Sequence, residues 1–86
     1  MSKDRKLSPV RKATLICREV AHRETYGKRT SIYAIAKGMG FTPNGSFSNS
    51  VWECVDAGLI DARPVSHGAR FSWQLTLTKK GWERAR

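Results

Sequence analysis

From Val51 to Gly81 the chain reads VWECVDAGLIDARPVSHGARFSWQLTLTKKG, and partway along this stretch the spacing of apolar residues changes period. Val51, Cys54 and Val55 recur at helical spacing, and the pattern stops at Ala57-Gly58-Leu59-Ile60. Strict alternation follows. Phe71, Trp73, Leu75 and Leu77 point one way, and Ser72, Gln74 and Thr76 point the other, which is the signature of a half-buried strand. A turn near Ser66-His67-Gly68 joins two such strands into a hairpin, with Leu59 and Ile60 anchoring the first of them in the core. Thr78 is placed to cap a final short helix that contains Trp82.

The preceding half reads as three helices. Ser8-Pro9 opens the first, with Ser as N-cap and Pro where its missing N–H costs nothing. Val10, Ala13, Ile16, Cys17, Val20 and Ala21 form its buried face, and Arg11, Lys12, Arg18, Glu19 and Arg23 fall largely elsewhere. Tyr26-Gly27 ends it. Thr30 or Ser31 caps a second, shorter helix with the stripe Ile32, Ile35, Ala36 and Met39, closed by Gly38 and Gly40. Phe41-Thr42-Pro43-Asn44-Gly45 is a turn by composition. The third helix is expected to start near Ser46 and to turn Phe47, Val51, Cys54 and Val55 inward. Residues 1–7 read as a flexible basic tail and residues 8–86 as one domain.

Sixteen Lys and Arg stand against seven Asp and Glu, a formal net charge of +9 over 86 residues. Such an excess on a small domain concentrates anions around it and points to a polyanionic partner, nucleic acid first and an anionic membrane surface second. Cys17 and Cys54 lie far apart on apolar helix faces, without the CxxC spacing of a zinc site, and read as buried thiols of a reducing compartment, with a disulfide between them as the alternative. The N-terminus has no signal-peptide character and no apolar run reaches membrane-spanning length, so a cytoplasmic, nucleoid-associated protein without a membrane partner is expected.

The order helix, helix, turn, helix, strand, strand, short helix resembles the winged helix-turn-helix fold of MarR-like, PadR-like and ArsR-like bacterial regulators. The resemblance covers roughly residues 8–82 and is carried mainly by Val55-Asp56-Ala57-Gly58-Leu59-Ile60 and by Leu75-Thr76-Leu77-Thr78-Lys79-Lys80-Gly81. Such families often carry Leu-x-x-x-Gly-Leu-Ile, with Cys54 here at the Leu position, and Leu-Thr-x-x-Gly after the wing, which Leu77 to Gly81 fits. The resemblance implies a small α+β domain of three helices, a β-hairpin wing and a short C-terminal helical turn. The strand that often precedes the second helix is vestigial here, around Lys28 to Thr30. The chain stops at Arg86 without the long helix that dimerises many such regulators, so a monomer or weak homodimer without an effector domain is expected.

In such a fold helix 46–57 enters the major groove of double-stranded DNA and wing 61–78 reaches the adjoining backbone or minor groove. The outward positions of the helix are Ser46, Ser48, Asn49, Trp52 and Glu53, with Asn44 in the turn before it. Ser46 is read as an N-cap ahead of a contact, and both Ser46 and Ser48 can donate to phosphate. The amide of Asn49 offers the donor–acceptor pair that matches an adenine edge, and Glu53 can accept from cytosine N4. Trp52 is assigned to packing against the first helix or the wing. Arg63, His67 and Arg70 supply the wing, with Arg70 foremost, and Lys28 and Arg29 precede the second helix where this motif meets the DNA backbone.

His22 and His67 fall on different elements, and no phosphate-binding loop or paired acids appear, so no enzyme, cofactor or metal is expected. The expected function is sequence-dependent DNA binding by a small transcriptional regulator. Alternatives are a winged-helix module that docks on a protein of the transcription or replication machinery, an excisionase-like architectural DNA binder, and an RNA binder using Phe71 and Trp73. For the last, alternation favours burial of those two rings instead.

Overall fold

A computed structural model describes residues 8–86, and of His67 and Arg70 it describes the backbone alone. The expected basic tail, with Lys3, Arg5 and Lys6, lies outside the described residues. The elements run α1 (Pro9–Thr25), α2 (Ile32–Met39), α3 (Gly45–Asp56), β1 (Ile60–His67), β2 (Arg70–Leu77) and α4 (Lys79–Ala85). The protein is a small α+β structure of four helices and one two-stranded antiparallel hairpin among the described residues.

Local chemistry sets the helix boundaries. The Ser8 hydroxyl accepts from the Arg11 N–H, Ser31 does the same for Ala34, and Asn44 Oδ1 accepts from Phe47 N–H at 3.1 Å. The cap of α2 is therefore Ser31; Thr30 is buried, and its carbonyl accepts from Leu75 N–H. The cap of α3 is Asn44, so the helix begins at Gly45 and Ser46 is its second residue, not its cap. Within the cluster Asn44-Gly45-Ser46 both polar residues are good caps. The inward placement of Phe47 selects Asn44, three residues before it.

Ile16, Cys17 and Val20 of α1, Ile35 and Ala36 of α2, and Phe47, Val51 and Cys54 of α3 form the core with Leu59, Ile60, Leu75 and Leu77. Phe41, read from composition as part of a turn, is a buried anchor whose ring centroid lies 5.7 Å from that of Phe47. Two assignments on α1 are corrected. Val10 is 66% exposed because the first turn runs past the core. Lys12, four residues before Ile16 and so on its face, is buried, with Nζ 5.3 Å from the Phe41 centroid and 5.9 Å from that of Phe47. Its apolar stem covers the end of the core while its charge meets the ring faces.

The hairpin pairs Ile60 with Leu77, Ala62 with Leu75, Pro64 with Trp73 and Ser66 with Phe71. β1 runs on through His67, so the turn is Gly68-Ala69, one residue later than the sequence suggested. Gly68 has φ +62° and Ala69 does not have a positive φ, the Gly-X arrangement that suits a tight hairpin. Leu75 and Leu77 are buried as alternation requires, but Phe71 is 58% exposed. Period two gives a residue its face; it does not say that the core reaches that far, and the distal half of the hairpin projects beyond it.

The end of β2 is tied down from several sides. Thr78 N–H donates to the Leu59 carbonyl at 3.1 Å, and Thr78 Oγ1 donates to the Gly58 carbonyl at 2.6 Å while capping α4 through Gly81 N–H. A Cβ on Gly81 would collide with the Leu59 carbonyl, so this glycine is what lets α4 close on the loop after α3. Along the outer edge of β2, Glu24 Oε2 accepts from Leu77 N–H, the Thr30 carbonyl accepts from Leu75 N–H, and Ser31 bridges Gln74. Where a vestigial strand is expected around Lys28 to Thr30, the isolated bridge falls one residue later, at Ser31. Among the described residues no helix is long and apolar enough to cross a membrane.

Candidate nucleic-acid interface

With Phe47, Val51 and Cys54 buried, helical geometry turns Asn49, Glu53 and Asp56 outward along one stripe, and all three are exposed. Ser46 is exposed in the first turn of α3, where the backbone N–H groups of Gly45 and Ser46 have no helical partner. Its carbonyl accepts from the Ser50 hydroxyl at 3.2 Å. Ser48 lies half-buried on the flank of the stripe. Asn44 is exposed, but its Oδ1 is held in the cap, leaving its NH₂ to meet a ligand.

Trp52 is half-buried, and its ring stands edge-on to that of Trp73 at 5.0 Å between centroids. Trp73 in turn meets Phe71 at 5.3 Å and 85°. The three rings form a chain from α3 out along the hairpin. The packing role assigned to Trp52 is the one found, with the hairpin as its support.

Alternation splits the hairpin into two faces. Ala62, Leu75 and Trp73 belong to the face that meets α3 and the core. Asp61 with Thr76, Arg63 with Gln74 and Val65 with Ser72 form the other face. Because Ser31 pairs with Gln74, the segment before α2 joins the sheet at the β2 edge and brings Lys28 and Arg29 to that edge. At that edge a shallow groove of about 350 Å³ is lined by Lys28, Arg29, Thr30, Ser31, Val65, Ser72, Trp73 and Gln74. Arg63, cross-strand to Gln74, is exposed on the same face.

The expected contact residues thus fall into two groups. Asn49, Glu53 and Ser46 share the outward side of α3, while Lys28 and Arg29 lie at the β2 edge and Arg63 is on the sheet face that alternation turns away from the core. His67 and Arg70 pair at the hairpin end in backbone register, and their side chains lie outside the described residues.

Charge is divided unevenly between these groups. Gly45–Asp56 contains no Lys or Arg, and its exposed stripe carries Glu53 and Asp56. Several of the chain's cations are engaged in holding the fold. Arg18 Nε donates to the Ala85 carbonyl, and Arg84 donates to Thr14 Oγ1 at 2.9 Å and to the Val10 carbonyl. Arg23 pairs with Glu19 at 2.8 Å and donates through Nη1 to the Arg29 carbonyl at 2.9 Å. Sequence reasoning missed these clamps, since most of the partners are backbone carbonyls and those of Arg18 and Arg84 lie far along the chain.

The thiols of Cys17 and Cys54 are free, buried and in contact. Their mutual hydrogen bond and then burial push the Cys54 thiol well above its ordinary range. Among the described residues no three His, Cys, Asp or Glu side chains converge where a metal ion could be held. No protein-family model, curated protein or solved structure matches the chain.

Proposed function

We infer that this chain is a winged-helix protein that binds double-stranded DNA in a sequence-dependent way, as a small transcriptional regulator of the nucleoid. The observation that carries the reading is the position of Asn49. It stands exposed on a helix whose opposite side is locked in the core, beside a hairpin braced to that helix through Trp52 and Trp73. A net charge of +9 on 86 residues supplies the attraction to a polyanion.

In this reading the outward side of α3 enters the major groove. The Asn49 amide pairs with an adenine edge, Glu53 accepts from a cytosine N4 amine, and Ser46 with the free first-turn N–H groups meets a phosphate. The hairpin acts as the wing. Binding occludes the site from other proteins, and the protein performs no chemistry of its own.

A second reading, docking on a partner protein, draws on the exposure of Phe71 and of Trp82, which is 41% exposed. The charge balance favours DNA. Selection of bound sequences from a random duplex pool separates the two. Enrichment of a motif that loses definition with Asn49→Ala supports the DNA reading, a palindromic motif indicating a two-fold dimer and a single short motif a monomer. A pool that emerges unenriched overturns the sequence-dependent reading.

A further inference from the structure

We propose that the groove between α1 and α4 is a docking site for an acidic amphipathic segment of a partner protein. One bulky apolar side chain of the partner packs beside Trp82, and the carboxylates that flank it pair with Arg18, Arg86 and Lys79. This goes beyond duplex binding: it uses no residue of α3 or the hairpin and stands whether or not DNA is bound.

The recess follows from two small residues. α4 lies along α1, held there by Arg84, which donates to Thr14 Oγ1 and to the Val10 carbonyl. Where the helices meet, Ala21 and Ala85 leave a groove of about 420 Å³, walled by the Trp82 indole and by Arg86. The indole is 41% exposed beside it. Trp and Arg are enriched among the residues that dominate binding energy, and an apolar side chain inserted here is desolvated against the ring.

Charge selects the occupant. Arg86 lines the groove and no carboxylate side chain does. Arg18 is exposed and donates through Nε to the Ala85 carbonyl and through Nη2 to that of Arg86. These bonds cover the carbonyl end of α4, which would otherwise repel an acid, and they use only part of the guanidinium's donors. Lys79, three residues before Trp82 and so on its side of α4, is exposed as well. The carboxylates of the two helices are turned elsewhere. Glu19 pairs with Arg23, Glu24 accepts from Leu77 N–H, and Glu83 stands about 100° around α4 from Trp82, beyond Lys79. A second copy of the chain is the poorer occupant, because a two-fold contact brings this cationic patch against its own image. A flat anionic lipid surface meets the cations but leaves the recess unfilled.

The test is selection on the full chain from a display library of random peptides, followed by affinity measurements with the enriched peptides. Enriched sequences are expected to carry one Leu, Phe or Trp flanked by Asp and Glu. Trp82→Ala should weaken them on the order of thirtyfold, the size of a hot-spot truncation. Ala21→Leu, which fills the recess without changing the charge, should block them while leaving duplex affinity at the wild-type level. Arg86→Glu, which leaves the Trp82 packing in place, should also weaken them, and most at low salt. The variants are compared at matched unfolding midpoints. Enrichment of neutral or basic peptides, acidic peptides indifferent to all of these substitutions, or a library that emerges unenriched would overturn the proposal. So would self-association of the chain, or its binding to phosphatidylserine vesicles, that Ala21→Leu abolishes.

Discussion

The Trp52 and Trp73 rings meet edge-on at 5.0 Å and 89°, and this contact joins the flank of α3 to the middle of the hairpin, where Trp73 packs against the core. Edge-to-face pairs of this kind contribute about 0.5–1.5 kcal/mol beyond the area they bury. A double-mutant cycle with Trp52→Leu and Trp73→Leu, followed by urea unfolding, should return a coupling of about that size. Strict additivity would mean that the hairpin holds its angle to α3 without the ring contact.

Gly81→Ala should destabilise the fold although it adds a single methyl group. The new Cβ would be driven into the Leu59 carbonyl and against Leu77, forcing α4 away from the loop after α3. Overpacking of this kind costs about 1–3 kcal/mol. The unfolding midpoint measures it, and an unchanged midpoint would show that α4 is not docked as described.

Asn44, not Ser46, caps α3, and the two residues should therefore respond differently to substitution. Asn44→Ala removes the oxygen that accepts from Phe47 N–H and should cost about 1 kcal/mol, with Asn44→Asp or Asn44→Ser retaining most of it. Ser46→Ala should leave stability nearly unchanged. A reversed ranking in denaturant unfolding would restore Ser46 as the cap.

Both thiols should resist alkylation in the folded protein. Cys17 and Cys54 are buried, and Cys54 is additionally held in its protonated form, whereas alkylation needs an accessible thiolate. Labelling followed by mass spectrometry should track unfolding in rising denaturant. Rapid modification of the native chain would contradict the packing of α1 on α3.

Asn49→Ala should lower the preference for the selected site over random duplex by about 1–3 kcal/mol if the amide pairs with one adenine. Competition binding with the two duplexes measures it directly. An unaltered preference would remove Asn49 from the reading surface.

Much of this fold was legible because its signals are local. Ser8-Pro9, the helical stripe Ile16-Cys17-Val20 and the alternation from Phe71 to Leu77 each state an element within a few residues. What escaped the sequence depends on distance. Lys12 shares a face with Ile16, but only the arrival of Phe41 and Phe47 from elsewhere in the chain makes a lysine suitable there. The exposure of Phe71 depends on where the core ends. The position of Arg29 at the β2 edge follows from the pairing of Ser31 with Gln74, a single bridge with no spacing signature. The candidate residues could be named from sequence, but their arrangement around α3 and the β2 edge could not.

Duplex binding through the cationic surface is the central claim. Titration of a random-sequence duplex with the full chain, repeated at rising salt, tests it most directly. The expected result is binding at low salt that weakens linearly in log affinity against log salt, with a slope that reports several neutralised phosphates. No binding at low salt, or an affinity indifferent to salt, would contradict it.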